Sequence, residues 1–385
     1  MKKSLLALAV VAVAASANAA TVYEKDGTSL QVNGRVQSVY YSNNFNSAGT
    51  NDSSIQNSAR LGLAGKTQIT DWVSGLGVAL WDMDSNGRGE DGSTTAREQF
   101  VGADFGEFGV LTAGKFRDAS YYAEAVTDNY EDCAGTVQGN FNGSRRGGQL
   151  MYTYDNYGFH GQFGVQTAQD DVKLFESDKS GRFNGNVAGG NRFNIDSGFS
   201  AALGYTFDDV VFGPLSLRTG YSYVKGQKDD DIKTNNTFDK FKHANAGISW
   251  GNLASGLYFG ALYDYGKAEG ISTPLAYAAN NGFVDNELKI RGFELTGGYA
   301  FDNGLAFLIG YESAKYTLER PAQDDIDFKV KRIPVIVKYQ ANANFNVWAE
   351  AGFNAGSDHT PAGGNPAIAK KIDHQLFAVG ARYTF

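Results

Sequence analysis

The chain is poor in the residues on which several other protein classes depend. Its 385 residues include one cysteine, Cys133, which excludes an internal disulfide and the sites that need several thiols. There are only 6 prolines, and no apolar run after residue 19 approaches the roughly 20 residues of a membrane-spanning helix. Apolar residues at helical spacing are also missing from that part of the chain, which argues against a soluble helical enzyme.

The residues that are abundant favour β-strands. Aromatic residues make up 13% of the chain, and there are 48 glycines. Segments of about ten residues with alternating apolar and polar positions recur, each followed by a turn cluster. In the last segment Phe377, Val379, Ala381, Tyr383 and Phe385 share one face. Because successive side chains of a strand point to opposite faces, one face is predicted to meet lipid and the other an aqueous lumen.

The connections between these segments alternate in length, as they do in outer-membrane barrels. Short turns such as Gly106-Glu107 and Asp302-Asn303 alternate with long polar stretches, of which Arg117–Ser144 is among the longest. The segments number about sixteen, and a barrel must close to leave no open edge in lipid. The sequence therefore predicts an all-β fold: one transmembrane antiparallel β-barrel domain over residues 20–385. Glu98 departs from this alternation, because counting alternate positions along its segment places the charged side chain of Glu98 on the outward face.

The N-terminus predicts export. Met1-Lys2-Lys3 is positive, Leu5–Ala15 is apolar, and Ala17-Asn18-Ala19 supplies small residues for cleavage, so residues 1–19 are predicted to be a signal peptide cut after Ala19. The apolar run is too short for a retained membrane anchor. Removing Lys2 and Lys3 lowers the Lys+Arg total from 34 to 32 against 42 Asp+Glu, so the formal net charge changes from −8 to −10. Such an acidic chain argues against a nucleic-acid partner.

Three stretches of the chain resemble the general diffusion porins of Gram-negative bacteria, and the resemblance extends along essentially the whole mature length. They are Ser58 to Ile69 (SARLGLAGKTQI), Phe100 to Gly109 (FVGADFGEFG) and Gly380 to Phe385 (GARYTF). The resemblance implies a sixteen-stranded barrel that forms a homotrimer in the outer membrane and passes small hydrophilic solutes and ions. It also implies that the third long loop, here Arg117–Ser144, folds into the lumen, and that the terminal Phe385 serves as an assembly signal. Contacts with outer-membrane lipid and lipopolysaccharide are expected, whereas a catalytic residue, a metal or a cofactor is not.

A basic wall is predicted for the lumen. Arg35, Arg60, Arg97 and Arg145 fall on lumen-facing positions of their strands, and arginine on the lipid face near mid-depth would cost about 2–4 kcal/mol. By resemblance these four match the basic cluster of the porin constriction, and Lys115 is a weaker addition.

Three acidic residues of the loop are candidates for the opposite side of the constriction: Asp128, Glu131 and Asp132. The family usually has a Pro-Glu-Phe-Gly-Gly turn here, which this chain lacks. A register anchored on Gly135 would place Asp128 and Asp132 at the two acidic positions, and all three residues stay candidates. Opposed charges across a narrow lumen would orient dipolar solutes and disfavour apolar ones.

Two other functions are weighed against a general diffusion pore. A phosphate channel would need a net positive constriction, and a sugar channel would need an inward row of aromatics, so a substrate-specific channel is the nearer alternative. An outer-membrane enzyme is more remote, because the four histidines lie in no Gly-x-Ser-x-Gly or His-Glu-x-x-His pattern. The excess of acidic residues predicts a weak preference for cations.

Overall fold

The structure is a computed structural model that describes residues 20–42, 53–85, 93–135, 145–174, 192–227, 237–274, 283–321, 324–359 and 374–385. The predicted signal peptide and residues 136–144 of the predicted third loop lie outside these ranges. Within them, no helix is long and apolar enough to cross a membrane.

Nearly all the described residues belong to one antiparallel sheet. Its strands are β1 (Ala20–Lys25), β2 (Thr28–Tyr41), β3 (Ser54–Gln68), β4 (Ser74–Ser85), β5 (Ser93–Asp104), β6 (Val110–Arg117), β7 (Arg145–Asn156), β8 (Phe159–Gln166), β9 (Gln169–Lys173), β10 (Arg192–Val210), β11 (Gly213–Gly226), β12 (Lys240–Gly251), β13 (Gly256–Pro274), β14 (Phe283–Ala300), β15 (Leu305–Glu319), β16 (Ile326–Gln340), β17 (Phe345–Asn354), β18 (Asp358–His359) and β19 (Leu376–Thr384). A 3-10 turn spans Gly106–Phe108, and a single helical turn, α1, spans Tyr121–Glu124.

The sheet closes on itself. The short strands β1, β9 and β18 attach to β2, β10 and β16, and the other sixteen strands form a continuous wall in which β19 pairs with β2. The terminal Phe385 takes part in the closure through two backbone hydrogen bonds with Gly34, of 2.8 and 2.9 Å. A Cβ atom on Gly34 would lie 2.6 Å from both the Phe385 ring and the Arg60 carbonyl, so only glycine fits there. The predicted sixteen-stranded all-β barrel is confirmed.

The two faces of the wall differ as the alternation predicts. On β19 the outward-facing Phe377, Val379 and Tyr383 are 42–50% exposed, whereas the intervening Leu376 and Ala378 are at most 2% exposed. An outer surface with large exposed apolar side chains on most strands is typical of a barrel in contact with lipid.

A β-bulge explains why Glu98 contradicts simple counting. Leu80 of β4 pairs with Glu98, but the next residue, Trp81, pairs with Ala96, so Arg97 is the additional residue on β5. Such an insertion changes the alternation of side chains. Arg97 and Glu98 therefore both reach ion-pair partners inside the barrel, and the expectation that Glu98 faces outward is wrong.

Several strands also run further than their sequence pattern indicates. The polar stretch Ala268–Glu287 is one of the long connections that the sequence pattern predicts, yet β13 continues to Pro274 and β14 begins at Phe283. The outer face of these extensions carries charged side chains such as Glu269 and Glu287, which both pair with Lys267, because it lies beyond the apolar band. The apolar-outside pattern that marks a membrane strand therefore stops before the strand does.

Candidate functional site

The predicted arginines form one cluster on the inner wall. Arg35 and Arg60 are direct cross-strand partners on β2 and β3, an arrangement of like charges that is unfavourable by itself. Asp82 on β4 lies between Arg60 and Arg97 and accepts from Arg60 Nε at 2.7 Å and from Arg97 Nη1 at 2.6 Å. Asp82 was not predicted, although it stands on the strand between the two arginine-bearing strands.

Arg145 lies in the same region and contacts a carboxylate of the wall. Its Nε is 2.6 Å from the Glu98 carboxylate, which is only 2% exposed. The neighbouring Arg117, at the end of β6, lies 3.3 Å over the centroid of the Tyr121 ring. The lumen face thus brings together Arg35, Arg60, Arg97 and Arg145 and adds Arg117 to them.

Lys115 is placed elsewhere. It pairs with the exposed Gln99 across β5 and β6, and its ammonium donates to the Ala96 carbonyl at 2.6 Å. Cross-strand partners share a face of the sheet, so Lys115 stands with Gln99 on the outer side. The prediction that Lys115 belongs to the basic wall is corrected accordingly.

Two basic residues of the cluster were missed because they lie far along the chain. Arg382 on β19 pairs with Glu131 at 2.6 Å, and Lys338 on β16 pairs with the same carboxylate at 3.2 Å. Arg382 also donates from Nε to Gln37 Oε1 at 3.0 Å, and Gln37 lies on the same face of β2 as Arg35, so Arg382 belongs to the arginine cluster. Arg382 lies between the outward-facing Ala381 and Tyr383, so strand alternation places its side chain inward. The inward position of Arg382 could therefore be predicted from the sequence.

The described part of the third loop lies against the inner wall, and its first anchor is Asp118. This buried carboxylate pairs with Arg146 and accepts hydrogen bonds from the Ser222 hydroxyl at 3.0 Å and the Ser120 hydroxyl at 2.8 Å. Ser120 in turn lies 3.2 Å from His243 Nδ1. The start of the loop is thus fixed to β7, β11 and β12.

The helix α1 is anchored by a buried triad. Glu124, His243 and Asp264 have ligand atoms within 4.8 Å of one another, and His243 Nε2 lies 2.7 Å from Asp264 and 3.8 Å from Glu124. These residue types could hold a metal ion. Burial raises the pKa of Glu124 to about 8, against the opposing effect of His243. The triad therefore joins the loop to β12 and β13.

The tip of the loop is held through its backbone. The Glu350 carboxylate on β17 accepts the N–H groups of Glu131, Asp132 and Cys133 at 2.9, 2.9 and 2.6 Å. Glu312 on β15 accepts the N–H of Gly135 at 2.7 Å. These anchors were not predicted, because strand parity shows that a carboxylate faces inward but not which backbone it meets.

The three predicted acids have different surroundings. Asp128 accepts from the Tyr121 hydroxyl at 2.8 Å and lies 3.8 Å from Arg117. Burial raises the pKa of Glu131, but Lys338 and Arg382 outweigh it and lower that pKa to about 2. Glu131 is thus the acid held against the basic wall. The match to the family turn anchored on Gly135 does not indicate this, because it places Asp128 and Asp132 at the acidic positions.

Asp132 is turned to the wall instead. It accepts a hydrogen bond from Trp348 Nε1 at 3.0 Å and another from the Tyr41 hydroxyl at 2.8 Å. Burial raises its pKa above the ordinary aspartate value, against the effect of these two donors. Asp132 therefore gives the loop polar contacts with uncharged groups.

A closed barrel with an apolar outer band and a charged, polar interior defines a channel protein of an outer membrane. The family model described as Gram-negative porin matches residues 25–385, and the chain belongs to that family. It is accordingly a porin of the Gram-negative outer membrane, a general diffusion channel for small hydrophilic solutes.

Curated relatives match over the whole length of the chain. Outer membrane protein S2 of Salmonella typhi is 27% identical and outer membrane porin PhoE of Klebsiella oxytoca is 28% identical, each with 100% of both chains covered. Among solved structures, OmpF of Salmonella typhi in complex with daunomycin has a TM-score of 0.68 at 22% identity and covers 95% of this chain and 100% of its own. OmpT of Vibrio cholerae, solved in a trimer form, has a TM-score of 0.60 at 16% identity and covers 94% of this chain and 100% of its own. These two likenesses concern the fold.

Proposed function

We propose that the third loop narrows the channel and that the arginine cluster and the loop carboxylates form the constriction that sorts solutes. The observation that carries this proposal is the anchoring of the loop tip, whose backbone N–H groups point at Glu350 and Glu312. With the loop tip held at Glu350 and Glu312, Glu131 faces Arg382. The electric field across the lumen then runs between the arginines of the barrel wall and the carboxylates of the loop. Such a field favours ions and dipolar solutes over apolar ones.

The charges at this constriction favour anions. The cations outnumber the carboxylates, and the loop residues 136–144 contain no charged residue that would change this. Glu294, Glu312 and Glu350 are enclosed behind the loop, at most 2% exposed, so they affect the open lumen less. We therefore propose an anion preference in place of the weak cation preference expected from net charge. The cations are Arg35, Arg60, Arg97, Arg117, Arg145, Lys338 and Arg382, and the carboxylates are Asp82, Glu98, Asp128, Glu131 and Asp132.

We propose that the protein works as a homotrimer and has no enzymatic activity. The trimer form of the Vibrio cholerae OmpT structure and the extensive apolar outer surface support the first point. Family and fold indicate a channel rather than an enzyme, which supports the second. Phe385, which closes the barrel against Gly34, is proposed as the assembly signal.

We propose that lipopolysaccharide binds a charged belt on the outer face of β12–β16. The belt lies at the strand ends that are joined by long connections, beyond the apolar band, and contains more cations than carboxylates. Lys267 and Glu287, 2.8 Å apart, exemplify the ion pairs that order it. The cations left over would suit phosphate groups of the lipid. The belt consists of Lys240, Lys242, Lys267, Lys289, Arg291, Lys315, Lys329 and Lys331 with Glu269, Glu287, Glu319 and Asp327.

Planar-bilayer recording of the purified protein tests the channel and the trimer together. We expect conductance to appear in groups of three equal steps, because each subunit of a trimer contains one pore. Steps that always occur singly would argue against the trimer, and folded protein that inserts without any conductance would argue against the channel.

A further inference from the structure

A cavity of about 540 Å³ opens from the lumen beside the arginine cluster. This volume lies within the range of small-molecule sites, about 300–1,000 Å³. Arg97, Arg117 and Arg145 line one part of it, whereas Phe116, Met151 and His160 line another. The cavity is thus amphipathic, which the passage of hydrophilic solutes does not require.

The apolar part of the cavity is a compact patch on the inner wall. Phe100 and Phe116 meet edge to face with ring centroids 5.7 Å apart, and Met151 packs in the same cluster. Ala119 and Tyr122 of the third loop pack against the same cluster, so its three wall residues are only 3–8% exposed, and all three line the cavity. A ring of a solute could pack on Phe116 and Met151, since aromatic rings and thioethers both make favourable contacts with rings.

The arginines above this patch have donors to spare. A guanidinium carries five N–H groups, yet the ion pair of Arg97 with Asp82 is made by Nη1 and that of Arg145 with Glu98 by Nε. Arg117 is 3.8 Å from its nearest carboxylate partner, Asp128. With Arg60, four guanidiniums line the cavity. Three carboxylates line it too, Glu98, Asp118 and Asp155, and Asp118 is already paired with Arg146. The lining thus contains one more cation than carboxylates.

His160 provides a further indication that a ligand belongs here. Its ring stacks on Tyr122 at 3.8 Å, and its Nδ1 lies 3.4 Å from Asp155. Its Nε2 has no hydrogen-bond partner among the described residues, although the side chain is only 6% exposed and borders the cavity. Buried polar atoms normally have a partner, so this nitrogen is available to a polar group of a bound solute.

We propose that this cavity is a binding subsite for small aromatic carboxylates on their way through the pore. The carboxylate would accept hydrogen bonds from the free guanidinium N–H groups, and the ring would pack on Phe116 and Met151. The inference rests on the proposed channel and constriction and names a solute class that they would retain.

The test is a block measurement on the full-length protein in planar bilayers, with 3-phenylpropionate as the probe. We expect brief current interruptions that saturate with probe concentration. Propionate lacks the ring and 3-phenylpropylammonium has the opposite charge, so each should bind at least about tenfold more weakly. Equal block by propionate would overturn the role of the apolar patch, and equal block by the ammonium compound would overturn the role of the arginines.

Variants separate the subsite from the channel. Phe116→Ser combined with Met151→Ser should weaken the probe by about tenfold or more, while Thr206→Ala, a lumen position outside the cavity, should leave the block unchanged. An unchanged block in the double variant would overturn the proposal. Calorimetric titration of the detergent-solubilised trimer with the probe gives the same comparison if a variant inserts poorly. Normal conductance without block would refute the subsite alone, whereas absent conductance would refute the channel on which it rests.

Discussion

Replacement of Glu350 by glutamine should release the tip of the third loop. The carboxylate accepts three backbone N–H groups, from Glu131, Asp132 and Cys133, at 2.6–2.9 Å. Hydrogen bonds to a charged group are worth about 1.5–3 kcal/mol each. Glutamine can place its oxygen at the Oε2 position and keep the bonds from Glu131 and Asp132, but it then turns its NH₂ group toward the Cys133 N–H. One bond is lost and the other two lose the contribution of the negative charge, so roughly 3 kcal/mol should be lost in total.

The lone cysteine of the chain reports this release directly. Cys133 lies at the loop tip and is 0% exposed, so a maleimide can react with it only when the tip opens. Because 1.4 kcal/mol corresponds to a factor of ten, a loss of about 3 kcal/mol should raise the labelling rate roughly 100-fold.

The assay is the time course of labelling of the folded protein, followed by mass spectrometry. Glu107→Gln, on the exposed 3-10 turn, is the matched control and should label as slowly as the parent. Cys133→Ser should not label at all. A Glu350→Gln labelling rate within twofold of the parent rate, with the barrel folded, would refute the anchoring of the loop by this carboxylate.

Three further predictions follow from the charges of the loop. Glu131→Gln removes the partner of Arg382 and Lys338 and should shift the reversal potential toward anions; a shift toward cations would contradict the assignment of Glu131 to the constriction. The pKa of Glu131 is lowered to about 2, so its stabilisation is complete above about pH 4.5 and is lost as the pH falls toward 2. Burial raises the pKa of Asp132, so Asp132 becomes neutral before Glu131 and anion preference should grow on acidification; equal reversal potentials at pH 7 and pH 4 would refute this. His243→Ala leaves the Asp264 carboxylate buried without its 2.7 Å ion-pair partner and should cost about 3–5 kcal/mol, seen as a lower melting temperature than for the exposed-site control His374→Ala.

The alternation of the sequence was sufficient to predict the barrel. A strand in a membrane must place apolar residues outside at every second position, and β19 and β17 do so without exception in the part that contacts lipid. The pattern failed where the physical constraint changes. It ended early on β13 and β14, whose outer faces leave the apolar band, and it assigned the wrong face to Glu98 because a bulge cannot be read from composition.

The constriction was predictable on its basic side only. Arg35, Arg60, Arg97 and Arg145 are placed by strand parity, so their positions could be read from the sequence. Which carboxylate each arginine meets depends on register and on loop conformation, which parity does not determine.

The loop side shows this limit most clearly. Matching the chain to the family turn with Gly135 as the anchor favours Asp128 and Asp132 as the two acidic residues. The backbone bonds to Glu350 instead orient Glu131 to the basic wall and Asp132 to Trp348. The distant Arg382 and Lys338 complete the site because closure of the barrel pairs β19 with β2, and β16 follows two strands farther along the wall.

The reversal potential of the open channel in a tenfold KCl gradient tests the central claim most directly, namely that the arginine cluster and the anchored loop set the ion preference. The surplus of cations at the constriction predicts a potential of anion-selective sign, reduced when Arg60 and Arg97 are both replaced by glutamine. A cation-selective sign in the parent protein, or a potential unchanged by the double replacement, would contradict it.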